Sequence, residues 1–501
     1  MFTSKVLLLL GLISLLACSV SGAEPAAPSP APTPAAGEPA KIEINDSKVI
    51  HEVWDDFHGI NLCALWNDTS DHPETVKAFS QMGSKILRFP GGVPCQWYDW
   101  KEPLATGWTT LTPEKAHAMA AASGARMMFQ TNTANDGGGK TKEGKEYKFN
   151  NSGEHAAGWV KFCQEKNIKV AVWEIGNEPE MDAPAAIKSD QNKVYEWYNA
   201  KYKEQVEAIK KADPNARVMG PASTNTWFWW AQNNLEKFMK AHGNKGGSGL
   251  ADMISIHWYP EAGNQPWDKA RGVAQGWAPC MDYIKGVLAK YDDRKLPLYI
   301  TEWNFGGGDK HDYNKTLGNA LGNADCIGMF LKTGVAGHTF FVLHRIKNGW
   351  GVIAQNGDVK PQNHVSPTFF ALAMASKLGH KVVETKCALD AAHVLSTYAT
   401  KDASGGVQVL LINKSDKPLP VALNFTGYKA DGKEVDVYTL AGANGKIDDM
   451  DVVYNEVKAP KPNADLLPAP KKVKSAATYS HTLAPLSMAV LSFPGDSAMK
   501  E

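Results

Sequence analysis

From residue 58 onward, apolar runs of five to seven residues alternate with longer stretches of helical periodicity. The runs fall at 58–62 (HGINL), 85–89 (KILRF), 125–130 (ARMMFQ), 168–173 (IKVAVW), 216–220 (ARVMG), 252–258 (DMISIHW), 297–302 (PLYITE) and 338–343 (HTFFVL). Their length and apolar density predict strands buried on both faces. Among the intervening stretches, 193–212 (KVYEWYNAKYKEQVEAIKKA) and 319–332 (NALGNADCIGMFLK) read as helices, and DPNA at 213–216 supplies the stop and turn after the first. Eight such β-then-α units over about 300 residues predict an α/β fold, a (β/α)8 TIM barrel spanning 56–384. A doubly wound open sheet is the rival, but it needs fewer strands and a phosphate-binding glycine turn. GGGK at 137–140 and GGG at 306–308 lack the rest of that fingerprint and are expected to be flexible loops.

After residue 385 the period changes to two. HVLSTYAT, GVQVLLINK, LPVALNFTG, EVDVYTL and SMAVLSF alternate and are separated by turns such as KSDKP and ADGK. They predict a C-terminal antiparallel β-sandwich over 385–501, with a long proline-rich loop at 459–472. KIEINDSKVI at 41–50 has the same texture, so an N-terminal strand within 41–55 is expected to join that sandwich.

Charge narrows the partners. The 501 residues carry 53 Lys+Arg against 53 Asp+Glu, a balance that argues against nucleic acid and against polybasic membrane binding. Sixteen Trp serve a large core or a surface for rigid amphipathic ligands such as sugars. At the N-terminus, Lys5 precedes the apolar VLLLLGLISLLA, which is too short to span a bilayer and reads as an export signal over 1–23. Cleavage after Ala23 would release the chain. Cleavage before Cys18 in LLAC, which resembles a bacterial lipoprotein box, would leave a lipid anchor as its one link to a membrane. Either way a secreted, periplasmic or outer-surface protein is expected, on a Pro/Ala-rich tether at 24–40. The remaining cysteines, Cys63, Cys95, Cys163, Cys280, Cys326 and Cys387, show no metal-type spacing. Export permits a Cys63–Cys95 disulfide; buried free thiols are the alternative.

In a barrel of this kind, chemistry sits at the C-terminal ends of strands. The polar residues there are Arg88, Gln130 with Asn132, Asn177 with Glu178, His257 with Tyr259, Glu302 with Trp303, and His344 with Arg345. Glu178 and Glu302 stand out, because glycoside hydrolysis needs two carboxyl groups facing one cavity, one protonated and one ionised. Arg88 could favour ionised Glu302, and Tyr259 could hydrogen-bond it. A lone strand-end Glu is usually a cap or a surface charge; the pair, with Arg88, His257 and Tyr259, argues otherwise. Glu174 is assigned a supporting role and Glu180 a place at a helix start or toward solvent. His257 and His344 offer two nitrogens but no third ligand at a suggestive spacing, so neither metal nor cofactor is expected. No G-x-S-x-G elbow is present.

At these residues the chain resembles the clan A glycoside hydrolases, retaining enzymes on a (β/α)8 barrel. Asn177-Glu178, Glu302 in LYITEWN and Arg88 in ILRFPGG carry the resemblance. Within the clan it is most similar to the family 51 α-L-arabinofuranosidases, through LRFPGG, YDW at 98–100, EIGNE, ISIHWYP, TEWN and the C-terminal HTLAPLSMAVLSF. The resemblance implies Glu178 as acid/base, Glu302 as nucleophile, Asn177 on the sugar 2-hydroxyl, Arg88 and Tyr259 orienting Glu302, and His257 lining the site. Two departures bear on the sugar. Val93 stands where that family continues PGG with Asn, and NLCALWND has no Glu after strand one. A pyranoside substrate, as in endoglucanases and xylosidases of the clan, is therefore the alternative. Trp66, Trp97, Trp258 and the WFWW run with Trp227, Trp229 and Trp230 would be its stacking candidates, with Asn132 and Trp303 also assigned to substrate. A surface carbohydrate-binding lipoprotein that no longer catalyses is the reading from another class.

Overall fold

The computed structural model describes residues 38–65, 73–103, 109, 111–134, 137–140, 144–224, 233–307, 312–344, 350–353, 365–461 and 467–495. The export segment, Cys18, most of the tether, Trp66, Trp227, Trp229, Trp230 and Arg345 lie outside the described residues.

From β1 (Ala40–Glu52) the chain enters a barrel through β2 (His58–Asn61), β3 (Ile86–Phe89) and β4 (Arg126–Thr131). It then forms a two-stranded hairpin, β5 (Gly138–Lys140) with β6 (Glu146–Lys148), so GGGK is a strand rather than the loop its glycines suggested. The barrel resumes with β7 (Val170–Ile175), β8 (Val218–Ser223), β9 (Met253–Trp258), β10 (Leu298–Trp303) and β11 (Gly337–Phe340). These eight parallel strands close in the order β10-β11-β2-β3-β4-β7-β8-β9, which excludes the open sheet. Helices start where a side chain can take an orphan N–H: Thr112 accepts from Lys115, Ser152 from His155, and Asp190 from Asn192 and Lys193. The helix Gln191–Ala212 buries Val194, Tyr195, Tyr198, Tyr202, Val206 and Ile209, the stripe its spacing predicts, and ends at Asp213.

The second module runs through β12 (Lys381–Cys387), β13 (Leu395–Lys401), β14 (Val407–Asn413), β15 (Leu419–Phe425), β16 (Glu434–Gly442), β17 (Val452–Tyr454), β18 (Val457–Lys458), β19 (Lys471–Lys474), β20 (Tyr479–Leu483) and β21 (Ser487–Phe493). Its pairing is antiparallel except where β1 inserts, antiparallel to β12 and parallel to β15. Strand alternation explains its apolar runs. Val409 and Leu411 of β14, with Ala489 and Leu491 of β21, face the module's own core. Leu410 and Ile412, with Met488 and Val490, face the large core shared with the barrel. The helix Leu317–Thr333 is buried along Leu317–Leu331 at this junction. There Lys414 and Asp325 form an ion pair at 2.6 Å with both side chains 1% exposed, and Tyr398 donates to the same carboxylate at 2.7 Å. Removing one partner of such a pair would strand a buried charge.

Along the barrel strands alternate residues point inward. The lower interior is apolar, packed from Ile86, Met128, Val172, Met219, Met253 and Tyr299, with Trp54 beneath. Two residues further along the same strands Arg88, Gln130 and Glu174, and four residues beyond Met253 His257, form a buried polar layer. In β10 the register against β9 slips between Ile300 and Glu302, so that Glu302 pairs with His257. This slip reverses the parity of the last turn of the strand, as a bulge does. Glu302 thereby turns into the cavity, and Trp303 turns outward.

Candidate active site

Arg88 organises the polar layer. It is fully buried and every nitrogen is used. Nε donates to Glu174 Oε2 at 2.6 Å, Nη1 to Glu302 Oε1 and Asn61 Oδ1 at 2.8 Å each, and Nη2 to Asn177 Oδ1 at 3.0 Å. Burial opposes its charge, but the carboxylates of Glu174 and Glu302 outweigh that and hold it above the usual range. Glu174 thus has the supporting role expected of it. The other oxygen of Glu302, Oε2, accepts from the Tyr259 hydroxyl at 3.0 Å. Glu302 therefore has a hydrogen-bond donor on each oxygen, which fixes the orientation of its carboxyl group.

Glu178 has a different environment. Its backbone is left-handed, φ 35°, at the start of the short helix Pro179–Asp182, and its N–H donates to Ala222 O at 3.0 Å. Its side chain is 17% exposed at the cleft. Burial pushes the carboxyl up to about 7, against the pull of Arg88, Thr224 and Lys188. His257 Nδ1 lies 2.9 Å from Glu178 Oε1 and 3.7 Å from Glu302 Oε2. His257 Nε2 faces Arg88 Nη2 at 3.4 Å. A guanidinium only donates, so Nε2 accepts and the ring proton sits on Nδ1, donating to Glu178. Burial lowers the His257 pKa, with Glu302 opposing, which keeps the ring neutral. One oxygen of each carboxylate and His257 Nδ1 lie within 4.8 Å of one another. A divalent cation could bridge such a group, but the Arg88 charge bonded to Glu302 already occupies that role electrostatically. His344 is not part of this group.

Close backbone approach shapes the floor. Gly92, φ 88°, follows Pro90-Gly91, and a Cβ there would meet Glu302 Oε1 at 3.0 Å and the Phe341 ring at 3.3 Å. Its N–H donates to Gln130 Oε1 at 2.9 Å, which leaves Gln130 Nε2 facing Asn177 Oδ1 at 3.3 Å. Gly176, φ 76°, is pressed on Thr133, where a Cβ would come within 2.6 Å of Oγ1.

Six of the residues singled out from sequence therefore converge: Arg88, Asn177, Glu178, His257, Tyr259 and Glu302. Others do not. Trp303 is 0% exposed and packs among Phe330, His338 and Phe340, its Nε1 donating to His338 Nδ1 at 3.2 Å. Trp258 is buried against Trp277 and Phe330. Both are core, placed outward by strand parity. Asn132 is buried, and its carboxamide oxygen closes a turn onto the Ala134 N–H at 3.1 Å. Trp97 is half-buried after the single turn Val93–Gln96. Glu180 begins the short helix as expected, but it points inward and is 2% exposed. It accepts from Ser223, from Tyr195 at 2.5 Å and from Asn234 at 3.2 Å. Cys63 and Cys95 are free thiols, as are the other four described cysteines, so the suggested disulfide is absent. Two residues were missed. Asn61 bonds Arg88 and donates to the carbonyls of Thr301, Thr339 and Phe340. Its signal was an amide inside the apolar run HGINL. Phe341 lies beside Gly92 next to Glu302, and nothing in HTFFVL distinguishes it from core.

Comparison with known proteins agrees with this fold. The model of Glycoside hydrolase family 44 matches residues 112–262, which include Glu178 and His257. Endoglucanase A of Paenibacillus lautus is 23% identical over 275 residues, 44% of this chain, and the chain spans only 36% of that protein's length. The α-L-arabinofuranosidase of Thermotoga maritima superposes with TM-score 0.68 at 15% identity, covering 90% of this chain and 99% of its own. Cel44A, a family 44 endoglucanase of Clostridium thermocellum, gives 0.60 at 16% identity, covering 91% and 100%. The chain thus has the (β/α)8 barrel fold of these glycosidases, with a Glycoside hydrolase family 44 match across its third to sixth barrel strands.

Proposed function

We propose that the protein is a retaining glycoside hydrolase in which Glu302 is the nucleophile and Glu178 the acid/base. The observation that carries this is the asymmetric carboxyl pair. Oxygens of Glu178 and Glu302 lie within 4.8 Å, on the retaining side of the separation that distinguishes the two mechanisms. Glu302, bonded to Arg88 and Tyr259, attacks the anomeric carbon as the bond to the leaving oxygen breaks. The Glu178 proton goes to that oxygen. Water then attacks the same carbon, gives its proton to Glu178 and frees Glu302. His257 Nδ1–H holds Glu178 Oε1, leaving Oε2 to carry the proton.

For the substrate, the name of the Paenibacillus relative, an endoglucanase, supports a glucan-type backbone. So do Val93 and the Glu-free segment after strand one, where the arabinofuranosidase pattern has an Asn and a Glu. The arabinofuranoside reading keeps support from LRFPGG, ISIHWYP and TEWN. The apolar N-terminal segment supports export, free or anchored at Cys18. The test is a panel of aryl cellobiosides, xylosides and arabinofuranosides. Glu302→Ala should lose at least about 10⁴-fold in kcat on every one that is cleaved. Glu178→Ala should retain far more on those with good leaving groups, which need little protonation. Equal loss in both variants would count against the assigned roles.

A further inference from the structure

Glu180 is a buried carboxyl group, two residues beyond Glu178, that the mechanism above does not use. Burying such a group is costly unless its oxygens are hydrogen-bonded, and those of Glu180 are. Oε1 accepts from the Ser223 hydroxyl, from the Tyr195 hydroxyl at 2.5 Å and from Asn234 Nδ2 at 3.2 Å. Oε2 accepts from the Thr224 N–H at 3.4 Å. Tyr195 and Asn234 belong to the outer helices Gln191–Ala212 and Asn234–His242, whereas Ser223 and Thr224 stand at the end of β8.

The same end of β8 meets Glu178. Ala222 O accepts from the Glu178 N–H at 3.0 Å, and the Thr224 hydroxyl donates to the Glu178 carboxyl, a bond that favours its ionised form. Thr224 therefore faces both acids, Glu178 with its side chain and Glu180 with its backbone. The other charged or titratable groups around Glu178 are Arg88 of β3, His257 of β9 with Tyr259 just beyond it, Glu302 of β10, and Asp182 and Lys188 in the segment that follows. Around Glu180 stand His257, Tyr195 and Tyr198, with Lys237 on the helix that carries Asn234.

We propose that Glu180 is a positioning residue for the acid/base, holding the end of β8 through Ser223 and Thr224 so that the Thr224 hydroxyl stays on the Glu178 carboxyl. The proposal rests on the glycosidase reading, in which Glu178 supplies the proton. The geometry makes Glu180→Gln an incisive substitution. It keeps the size of the side chain, and its amide oxygen can serve the donors at Oε1. Its NH2 then meets the Thr224 N–H, donor against donor, and drives Thr224 from its place.

The test is the alkaline limb of kcat/KM, on a substrate with a poor leaving group, in the parent, Glu180→Gln, Thr224→Val and the double variant. Thr224→Val removes the hydroxyl, so Glu178 keeps its proton to higher pH and the limb should rise by about one pH unit. Glu180→Gln should move the limb the same way by a similar amount. The double variant should shift no further, because both substitutions act on one contact. The sign decides. Were Glu180 only a nearby negative charge, its loss would let Glu178 ionise more readily and the limb would fall. Were it only a packing group, the melting temperature would drop and the limb would stay. Either result overturns the proposal. Ser223→Ala removes one link to β8 without altering either acid and should also raise the limb. It keeps the test decisive where Glu180→Gln fails to fold, and an unmoved limb there overturns the proposal too. Glu178→Gln reports separately on the glycosidase reading: if the limb survives that substitution, Glu178 is not the acid.

Discussion

The two halves of the barrel interior are built on the same strands, one or two inward-facing positions apart. In the lower half, Ile86, Met128, Val172, Met219, Met253 and Tyr299 make an apolar plug. In the upper half, Arg88, Gln130, Glu174 and His257 replace them, with Glu302 brought in by the register slip of β10. The lower half behaves like any core, where packing sets stability. The upper half concentrates three carboxyl groups around one guanidinium, an arrangement that stability alone would not select. The same backbone therefore separates the part that holds the fold from the part that performs chemistry, a few ångströms apart.

Paired substitutions should break that division most visibly. Arg88→Met leaves Glu174 and Glu302 buried without their cation and should destabilise by about 3–5 kcal/mol while abolishing turnover. Met219→Ala opens a cavity in the plug and should cost about 2–5 kcal/mol, with kcat per folded molecule within about twofold of the parent. Denaturant unfolding with parallel kinetics reads both. If Met219→Ala cuts kcat as deeply as Arg88→Met, the halves are not separable.

A smaller effect sharpens the comparison within the upper half. Glu178 is held at about 7 by burial, so its proton is available below that and lost above it. The alkaline limb of kcat/KM should fall near pH 7, and Glu178→Gln should abolish that limb along with most activity on poor leaving groups. Stability follows the same sign. The folded state favours protonated Glu178 relative to the unfolded chain. That contribution is full below the ordinary value of 4.5 and is lost as pH rises through about 7. Glu178→Gln should therefore gain on the parent in melting temperature above pH 7 and not below 4.5. A gap that widens toward acid would contradict the burial account.

Much of this was legible in the chain. Eight short apolar runs with polar ends suffice for the barrel, and the C-terminal ends named Arg88, Asn177, Glu178, His257, Tyr259 and Glu302. What failed depended on contacts that local pattern does not carry. Trp303 follows Glu302 and so faces the opposite side of the strand; the slip against β9 decides that Glu302, not Trp303, faces the cavity. Glu180 is drawn inward by Tyr195, Ser223 and Asn234, which lie 15 to 54 residues further along the chain. Asn61 looked like one polar residue in a strand because its partners sit on three distant strands, β3, β10 and β11.

The central claim is that Glu302 forms a bond to the sugar. It is tested most directly by incubating the enzyme with an activated 2-deoxy-2-fluoro glycoside of the preferred sugar and mapping the adduct by mass spectrometry. The account predicts one equivalent of glycosyl ester on the peptide containing Glu302, absent in Glu302→Ala and released on transfer to an acceptor. A first-formed product of inverted configuration, or an ester on Glu178, would contradict it.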